Sequence, residues 1–435
     1  MKNPMTDTIS RLAIANSLAH WRYSLSTILI MGIGLLSIWM FRGYMLKVGD
    51  LYRDHFTVRS MFGEILIEPE NADNDDKIGG ITGNQQQSLQ TFFAQDADSI
   101  EAVVRFLKVD GQITFGAENS LFDGLAYDIT SGEKIRSEKW SWNAVAGRPL
   151  KAPGEIVLGR AMARLLACEF DSEHYLEPSD NGHAYIAKER PFTCGSNEGQ
   201  VSVVTDKGQI RSQSMKVVGL MDVGFRDLDR TWMMMDIQDG QLLLKTNELS
   251  WISLKARGSS VKLLDDVRVY LAEHRLPLVA TPWDKHRYTD LYRRTMGLLR
   301  VFEVFVLSIL SGIVGISVFN LMSKIVSERR REIGLLRSVG FNSRKILRLF
   351  LTESIFTSIL GLSIGAAASL GFANVANRLG ILYKAGILSE PVPFAINPEL
   401  SLFVSTALIL GGVSIIASLT AVRKALRKTV IECLM

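Results

Sequence analysis

Four long apolar runs constrain this chain more than any other feature of it. They lie at roughly Leu25–Phe41, Leu298–Met322, Leu349–Ala376 and Leu400–Val422. A hydrocarbon core of ~30 Å is crossed by a helix of about 20 apolar residues at ~1.5 Å per residue. The first run is marginal by that measure and the other three are comfortable. The stretch between the first and second runs has the composition of ordinary soluble protein. The expected architecture is a membrane protein with four transmembrane α-helices, at 25–42, 298–322, 349–376 and 400–422. A large α+β extracytoplasmic domain, 43–297, is inserted between helices 1 and 2.

Charge assigns the sides. Segments 1–24, 323–350 and 422–435 together hold fifteen Lys/Arg against four Asp/Glu, a net of +11 in a chain whose total is +4. Cytoplasmic segments retain Lys and Arg. Both termini and the middle loop are therefore expected inside, and the large domain outside. An amphipathic entry helix at 1–24, a short external loop at 377–399 and a basic cytoplasmic tail at 423–435 complete the scheme. No small-x-small cleavage pattern follows the first run, which reads as a signal anchor.

The segment Ser327–Glu353 is the most distinctive of the basic stretches. Arg329, Arg330, Arg331, Arg337, Arg344, Lys345 and Arg348 face only Glu328, Glu332 and Glu353. Ile333, Leu336 and Val339 fall three apart, which predicts a short helix with one apolar edge. Gly340 would end it, and Asn342 or Ser343 would cap the next helix. On charge alone, such a helix is either a topology-setting loop touching anionic lipid or a docking peg for a cytoplasmic partner.

The run Glu328-Arg329-Arg330-Arg331-Glu332-Ile333-Gly334-Leu335-Leu336-Arg337-Ser338-Val339-Gly340 favours the second. With Arg344-Lys345-Ile346, Phe350-Leu351-Thr352-Glu353 and Gly361/Gly365, it resembles the signature of FtsX/MacB-type ABC-transporter permeases. The resemblance implies that 323–348 is the coupling helix resting on a separate ATPase. Glu328, Arg329, Arg331, Glu332, Ile333, Leu336, Arg337 and Gly340 are the candidate coupling residues. Asn16 and Arg22 match the family's entry segment. The tail matches its closing basic helix, with Ala421 and Val430 where prolines are usual. Gly147-Arg148-Pro149, Gly154–Gly159, Val217–Leu220, Gly224-Phe225 and Asp229 resemble the MacB periplasmic core, which implies an α+β domain with an inserted lobe.

Small residues recur in every span, including Gly32, Gly34, Gly312, Gly315, Gly361, Gly365, Gly411 and Gly412. Small residues let helix backbones approach closely in lipid. Gly312, Gly315, Gly361 and Gly365 are the candidate packing positions, against other spans of this chain or a second permease copy. Ionisable groups in the spans are few. Glu303 is expected to pair locally with Arg300, and Glu353 lies within reach of the coupling-loop arginines. No series of buried acids suggests a proton relay.

Within 43–297, strands are expected at Glu64–Glu68, Ser99–Val109, Glu155–Leu158, Val201–Thr205, Lys216–Leu220, Trp232–Ile237 and Leu278–Thr281. Helices are expected at Arg160–Leu166, Gln238–Leu244 and Val261–His274, and a polar loop at Asn71–Gln87. Cys168 and Cys194 fall in the exported part, where a disulfide is permitted and two free thiols are equally compatible. No metal-ligand spacing and no nucleophile–histidine arrangement occurs. The absence of a Gly-Lys dipeptide leaves no P-loop, so ATP-Mg would be bound by a partner chain and none of it here.

The implied protein is a non-catalytic permease subunit of a bacterial inner membrane. Its expected partners are a cytoplasmic ABC ATPase dimer, a second permease copy or paralogue, membrane lipid and a periplasmic adaptor or lipoprotein carrier, with no nucleic acid. Lipoprotein or lipid release, as in the LolC/LolE-like branch, or export of a periplasmic substrate is the expected task. The alternative is an FtsX-like switch that activates a cell-wall hydrolase.

Overall fold

A computed structural model describes residues 21–71, 80–135, 144–171, 176–178, 185–187, 190–196, 198–223, 228–383 and 392–426. Most of the expected entry helix, the Gly224-Phe225 pair and the end of the basic tail lie outside these residues. The elements, in chain order, begin with helix α1 (Trp21–Asp54), a π-turn at His55–Arg59, strand β1 (Ile65–Pro69), α2 (Gly83–Gln95), β2 (Ile100–Phe115), β3 (Glu118–Tyr127) and α3 (Ile129–Ile135). Then come β4 (Ala144–Gly147), β5 (Glu155–Gly159), α4 (Arg160–Leu165), β6 (Glu169–Phe170), β7 (Leu176–Pro178), β8 (Tyr185–Ala187), β9 (Phe192–Thr193), β10 (Glu198–Val204) and β11 (Ile210–Met221). They continue with β12 (Trp232–Asp236), α5 (Ile237–Leu244), β13 (Trp251–Ala256), α6 (Ser260–Glu273), β14 (Leu278–Pro282) and α7 (Asp290–Glu328). The last are α8 (Arg330–Ser338), α9 (Ser343–Leu379), β15 (Leu382–Tyr383), β16 (Val392–Pro393) and α10 (Leu400–Leu426).

Two compact units emerge. One holds 1–48, 296–381 and 394–435; the other holds 49–295 and the 382–393 segment. Four helices are long and apolar enough to cross a membrane, and they are the four anticipated from sequence: α1, α7, α9 and α10. Each runs past its apolar run. The first helix, for instance, continues to Asp54 rather than ending near residue 42.

In the second unit, the sheet closes on itself. The order β10-β11-β5-β12-β3-β2 is completed by a further pairing of β10 with β2. These strands make a barrel whose interior is filled by Val109, Ile113, Phe122, Ile156, Leu158, Val201, Val217, Met233 and Met235, all buried. Closing a sheet requires close backbone approach at corners. Gly111 of β2 supplies one, since a Cβ there would lie 2.3 Å from the Ser202 carbonyl oxygen.

The first half of β2 instead pairs with β13, and the sheet continues through β1 to β14. One face of that extension is covered by α2 and α6. Ile65, Ile67, Ile252 and Leu254 meet Leu89, Phe92, Leu263, Val267 and Leu271 there. On the other face, Trp251 stacks on Phe106 at 5.1 Å and meets Tyr288 at 4.9 Å.

Several expectations change. Of the loop expected at Asn71–Gln87, residues 72–79 lie outside the described residues, and its last five residues form the start of α2, capped by Thr82. The Gln85 side chain accepts from the Thr82 N–H at 2.8 Å, a reciprocal cap that a count of polar residues does not reveal. The strand expected at Ser99–Val109 continues to Phe115, and β3 and β13 were not anticipated at all. Cys168 and Cys194 form a disulfide, with the second cysteine next to the short β6–β9 pair.

Candidate functional site

The basic segment forms α8, set between the ends of two apolar helices. The helix α7 stops at Glu328, and Arg329 makes the corner. Gly340, at φ +93°, turns the chain out of α8, as a left-handed position after a helix favours glycine. The N-cap of α9 is Asn342, and the Arg337 guanidinium donates to Ser343 Oγ at 3.1 Å.

Arg329 is the anchor of this corner. It is 6% exposed, and its Nη1 donates to Glu353 Oε2 of α9 at 3.1 Å. Its Nε donates to Glu332 Oε2 of α8 at 2.7 Å, and its guanidinium lies 5.0 Å over the Phe350 ring. One buried cation thus joins the end of α7, the start of α8 and the inner part of α9. Ile333 is buried beside Ile346 and Phe350 in the same apolar cluster.

The apolar edge expected at Ile333, Leu336 and Val339 does not survive as one edge. Ile333 is buried, Leu336 is half-buried and Val339 is 73% exposed. Each step of three residues falls about 60° short of a full turn, so two steps carry Val339 well away from Ile333. Val339 instead shares the outer face with Leu335, which is 63% exposed, and with Arg331 one turn earlier. Glu328 and Glu332 are exposed as well. The outward surface of α8 is therefore mixed, with two apolar side chains between acidic and basic ones.

The packing glycines separate into two kinds. A Cβ on Gly361 would lie 2.8 Å from the Ile28 carbonyl oxygen, and one on Gly365 would lie 2.7 Å from that of Gly32. These two, with Gly32, let α1 and α9 touch backbone to backbone. A Cβ on Gly315 would lie 3.0 Å from Val413 Cγ1 of α10, whereas one on Gly312 would meet nothing within 4 Å among the described residues.

Two polar features were not read as sites from the sequence. Ser354 and Ser358 of α9 bond Ser418 and Ser414 of α10 at 2.6 and 2.8 Å. Their matched i, i+4 spacing in two apolar runs was the available signal. Glu303 does not pair with Arg300; Arg42 of α1 reaches it, Nε to Oε1, at 2.9 Å. Residues 261 positions apart leave no local trace of such a contact.

The sheet-bearing unit has a buried acid cluster of its own. Asp229 is 1% exposed and accepts from the N–H groups of Arg160, Ala161 and Val223 at 3.1, 2.9 and 3.3 Å. Burial and the neighbouring Asp222 push its carboxyl up to about 7. A Cβ on Gly159 would lie 2.3 Å from the Asp229 carbonyl oxygen, which accounts for glycine at that strand-to-helix turn. Glu155, by contrast, is held down at about 2 by its hydrogen bonds from the Arg148 side chain, one of them 2.9 Å.

Residues 304–430 match the family described as FtsX-like permease C-terminal. The chain carries an FtsX-like permease domain. This domain contains the whole Arg329–Glu353 corner, α8 and both serine pairs. Over 66% of its length the chain is 25% identical to the ABC transporter permease YtrF of Bacillus subtilis, covering 70% of that protein. It is 38% identical over 21% of its length to the macrolide export ATP-binding/permease protein MacB 2 of Yersinia pestis, covering only 14% of that protein. Among solved structures, the periplasmic region of MacB from Actinobacillus actinomycetemcomitans aligns over 51% of this chain and 89% of its own length. That alignment has 12% identity and a TM-score of 0.33.

Proposed function

We propose that the chain is the membrane subunit of an ABC transporter in which a separate ATPase docks on α8 and drives the spans. The reading is supported chiefly by the α8 corner of the FtsX-like domain. The helix is fixed from within by Arg329, Glu353 and Ile333, and its outer face leaves Leu335 and Val339 exposed beside Arg331 and Glu332. Two exposed aliphatic side chains ringed by charges suit a protein partner better than anionic lipid, which needs only the cations. The excess of Lys and Arg in the basic segments supports a cytoplasmic side for α8 and both chain ends at a bacterial inner membrane, with the barrel domain outside.

Work done on α8 would pass to α7 and α9 through Arg329, which belongs to both contacts. The outer domain would then handle a substrate on the far side, by lipoprotein or lipid release or by export of a periplasmic substrate. Glu328, Arg329, Arg331, Glu332, Ile333, Leu336, Arg337 and Gly340 divide the task. Arg329, Ile333 and Gly340 shape the corner, and Glu328, Arg331 and Glu332 present the surface.

The test is recovery of the tagged full chain from its native membranes. A nucleotide-binding subunit should co-purify and hydrolyse ATP. The pair Leu335→Asp with Val339→Asp should reduce its recovery by at least 10-fold at unchanged membrane yield of the chain. Undiminished recovery from that variant would remove α8 as the dock. A cell-wall hydrolase, recovered on the outer domain in place of a carrier or adaptor, would favour the switch role over transport.

A further inference from the structure

We infer that Arg42 and Glu303 form a releasable latch between α7 and a block made of α1, α9 and α10. This rests on the coupling reading above and names the span that moves.

The block is tied by contacts that do not slide. Backbone meets backbone where Gly361 and Gly365 of α9 face Ile28 and Gly32 of α1. The helices α9 and α10 share two serine pairs, at 2.6 and 2.8 Å. Asn377 of α9 clamps Ile396 by accepting from its N–H at 2.8 Å and donating to its carbonyl at 3.0 Å. The next residue, Asn397, donates its N–H to the Gly43 carbonyl of α1 at 3.2 Å.

The span α7 is attached differently. Only 11% of its most apolar window is buried, against 33%, 28% and 22% for α1, α9 and α10. Its mid-helix contacts are apolar side chains, Val314 against Gly34 and Gly315 against Val413. Contacts of that kind have no preferred register on the scale of a small tilt, and Gly312 is open on the free side.

Besides the Arg329–Glu353 bond at its other end, α7 makes a directional contact with the block at Glu303. Arg42 Nε donates to Glu303 Oε1 at 2.9 Å, while Nη1 donates to Ser405 Oγ at 2.8 Å and Thr406 Oγ1 at 3.0 Å. The division of partners points to a latch. Ser405 and Thr406 belong to α10 and so stay with Arg42 inside the block. Glu303 alone belongs to α7. When α7 leaves, Arg42 keeps two acceptors, and Glu303, whose side chain is already 27% exposed, meets solvent. A brace meant only for stability would be served as well by apolar side chains, since a desolvated ion pair gains little over them.

The experiment uses the full chain in liposomes, with Cys433→Ser and spin labels on Leu298→Cys of α7 and Leu400→Cys of α10. Both positions are exposed, at 61% and 74%. Pulsed electron–electron distance measurement should give one dominant separation in the parent. Glu303→Gln should move at least half of the population to a second separation, and Arg42→Glu with Glu303→Arg should restore the first. Glu303→Asp should fall between. If Glu303→Gln lowers the melting temperature while the distribution stays as in the parent, the pair is a static brace and the latch is wrong. Failure of the exchanged pair to restore the parent distribution, in protein that still melts cooperatively, would overturn it equally. The measurement needs no ATPase, so its outcome is separate from that of the docking test.

Discussion

The sheet-bearing unit and the helical unit are built on opposite uses of the same residues. In the barrel, bulky apolar side chains point inward and their burial holds the strands, with Ile156, Leu158, Met233 and Met235 at 0% exposure. In the helical unit, many of the bulkiest side chains point outward. Phe302, Phe305, Ile313, Ile316, Leu408 and Ile416 are all more than half exposed. What lies between the helices joins apolar side chains such as Met31, Leu35, Val318 and Phe350 to small and polar ones: Gly32 against Gly365, Ser358 against Ser414, Arg329 against Glu353. Where lipid is the solvent, apolar surface gains nothing by leaving it, and close packing and hydrogen bonds carry the association.

The contrast is tested most severely at Glu353. Replacing it by Leu removes one of the two carboxylates that bond Arg329, which is 6% exposed and keeps Glu332, and is expected to cost about 3 kcal/mol, the low end for a broken buried pair. The double replacement Arg329→Met with Glu353→Leu should recover most of that loss, because it removes both charges. Thermal unfolding of the solubilised full chain reads both. A double variant as damaged as the single one would mean that the helices depend on this charge pair itself, contrary to the comparison.

The same contrast explains what could be read from the sequence. The spans were legible because uninterrupted apolar runs of that length have few other outcomes. The α8 corner was legible because its charges are local. In the sheet-bearing unit, strands such as β5 and β12 announce themselves by continuous apolar runs, but β3 does not. Its stretch Glu118–Tyr127 mixes exposed Leu121 with buried Phe122 and a glycine, and its place is set by pairing with β2 and β12. Barrel closure, through β10 and β2, is a contact nearly 90 residues apart that leaves no local signal. In the membrane unit, the inward faces of α7 and α10 were illegible for a different reason. Apolar residues lie all round them, so periodicity says nothing about which side is inside. Serines and glycines carry that information, and they are few.

The sheet-bearing unit should also show a pH dependence that the comparison locates in its buried acids. Asp229 sits at about 7 in the fold against 3.8 for an ordinary aspartate. The folded state then binds more protons than the unfolded one between those values, so this contribution falls as pH rises from about 4 to about 7. Glu155, held at about 2 against 4.5, works the other way, its contribution disappearing as pH falls through that lower window. Glu64 and Asp236 are also pushed up by burial and share the sign of Asp229. Asp229→Asn should therefore flatten, without abolishing, the decline in melting temperature between pH 5 and 7 (an interval chosen to lie inside the Asp229 window). At low pH it should cost about 1–3 kcal/mol, because an amide N–H₂ placed where the carboxylate receives the Ala161 N–H leaves that donor without an acceptor. An unchanged slope would remove Asp229 as its source.

The smallest expected effect lies between α9 and α10, and it is the sharpest measure of how lipid-facing helices associate. Ser358 and Ser414 bond at 2.8 Å, and both are buried. In water-soluble interiors, removing one partner of a buried hydroxyl pair costs about 1–3 kcal/mol. In a membrane unit the unfolded helices also find partners, so the coupling across such a pair is expected to be only about 0.6 kcal/mol. A double-mutant cycle over Ser358→Ala and Ser414→Ala, read by reversible unfolding in mixed micelles, gives that coupling directly. The parallel cycle at Ser354 and Ser418 should agree with it. A coupling of about 2 kcal/mol at either pair would place the serines among the main fastenings of the block, ahead of the glycine contacts. A coupling near zero would leave Gly32, Gly361 and Gly365 to hold α1 to α9, and shape with the Arg42 bonds to Ser405 and Thr406 to hold α10.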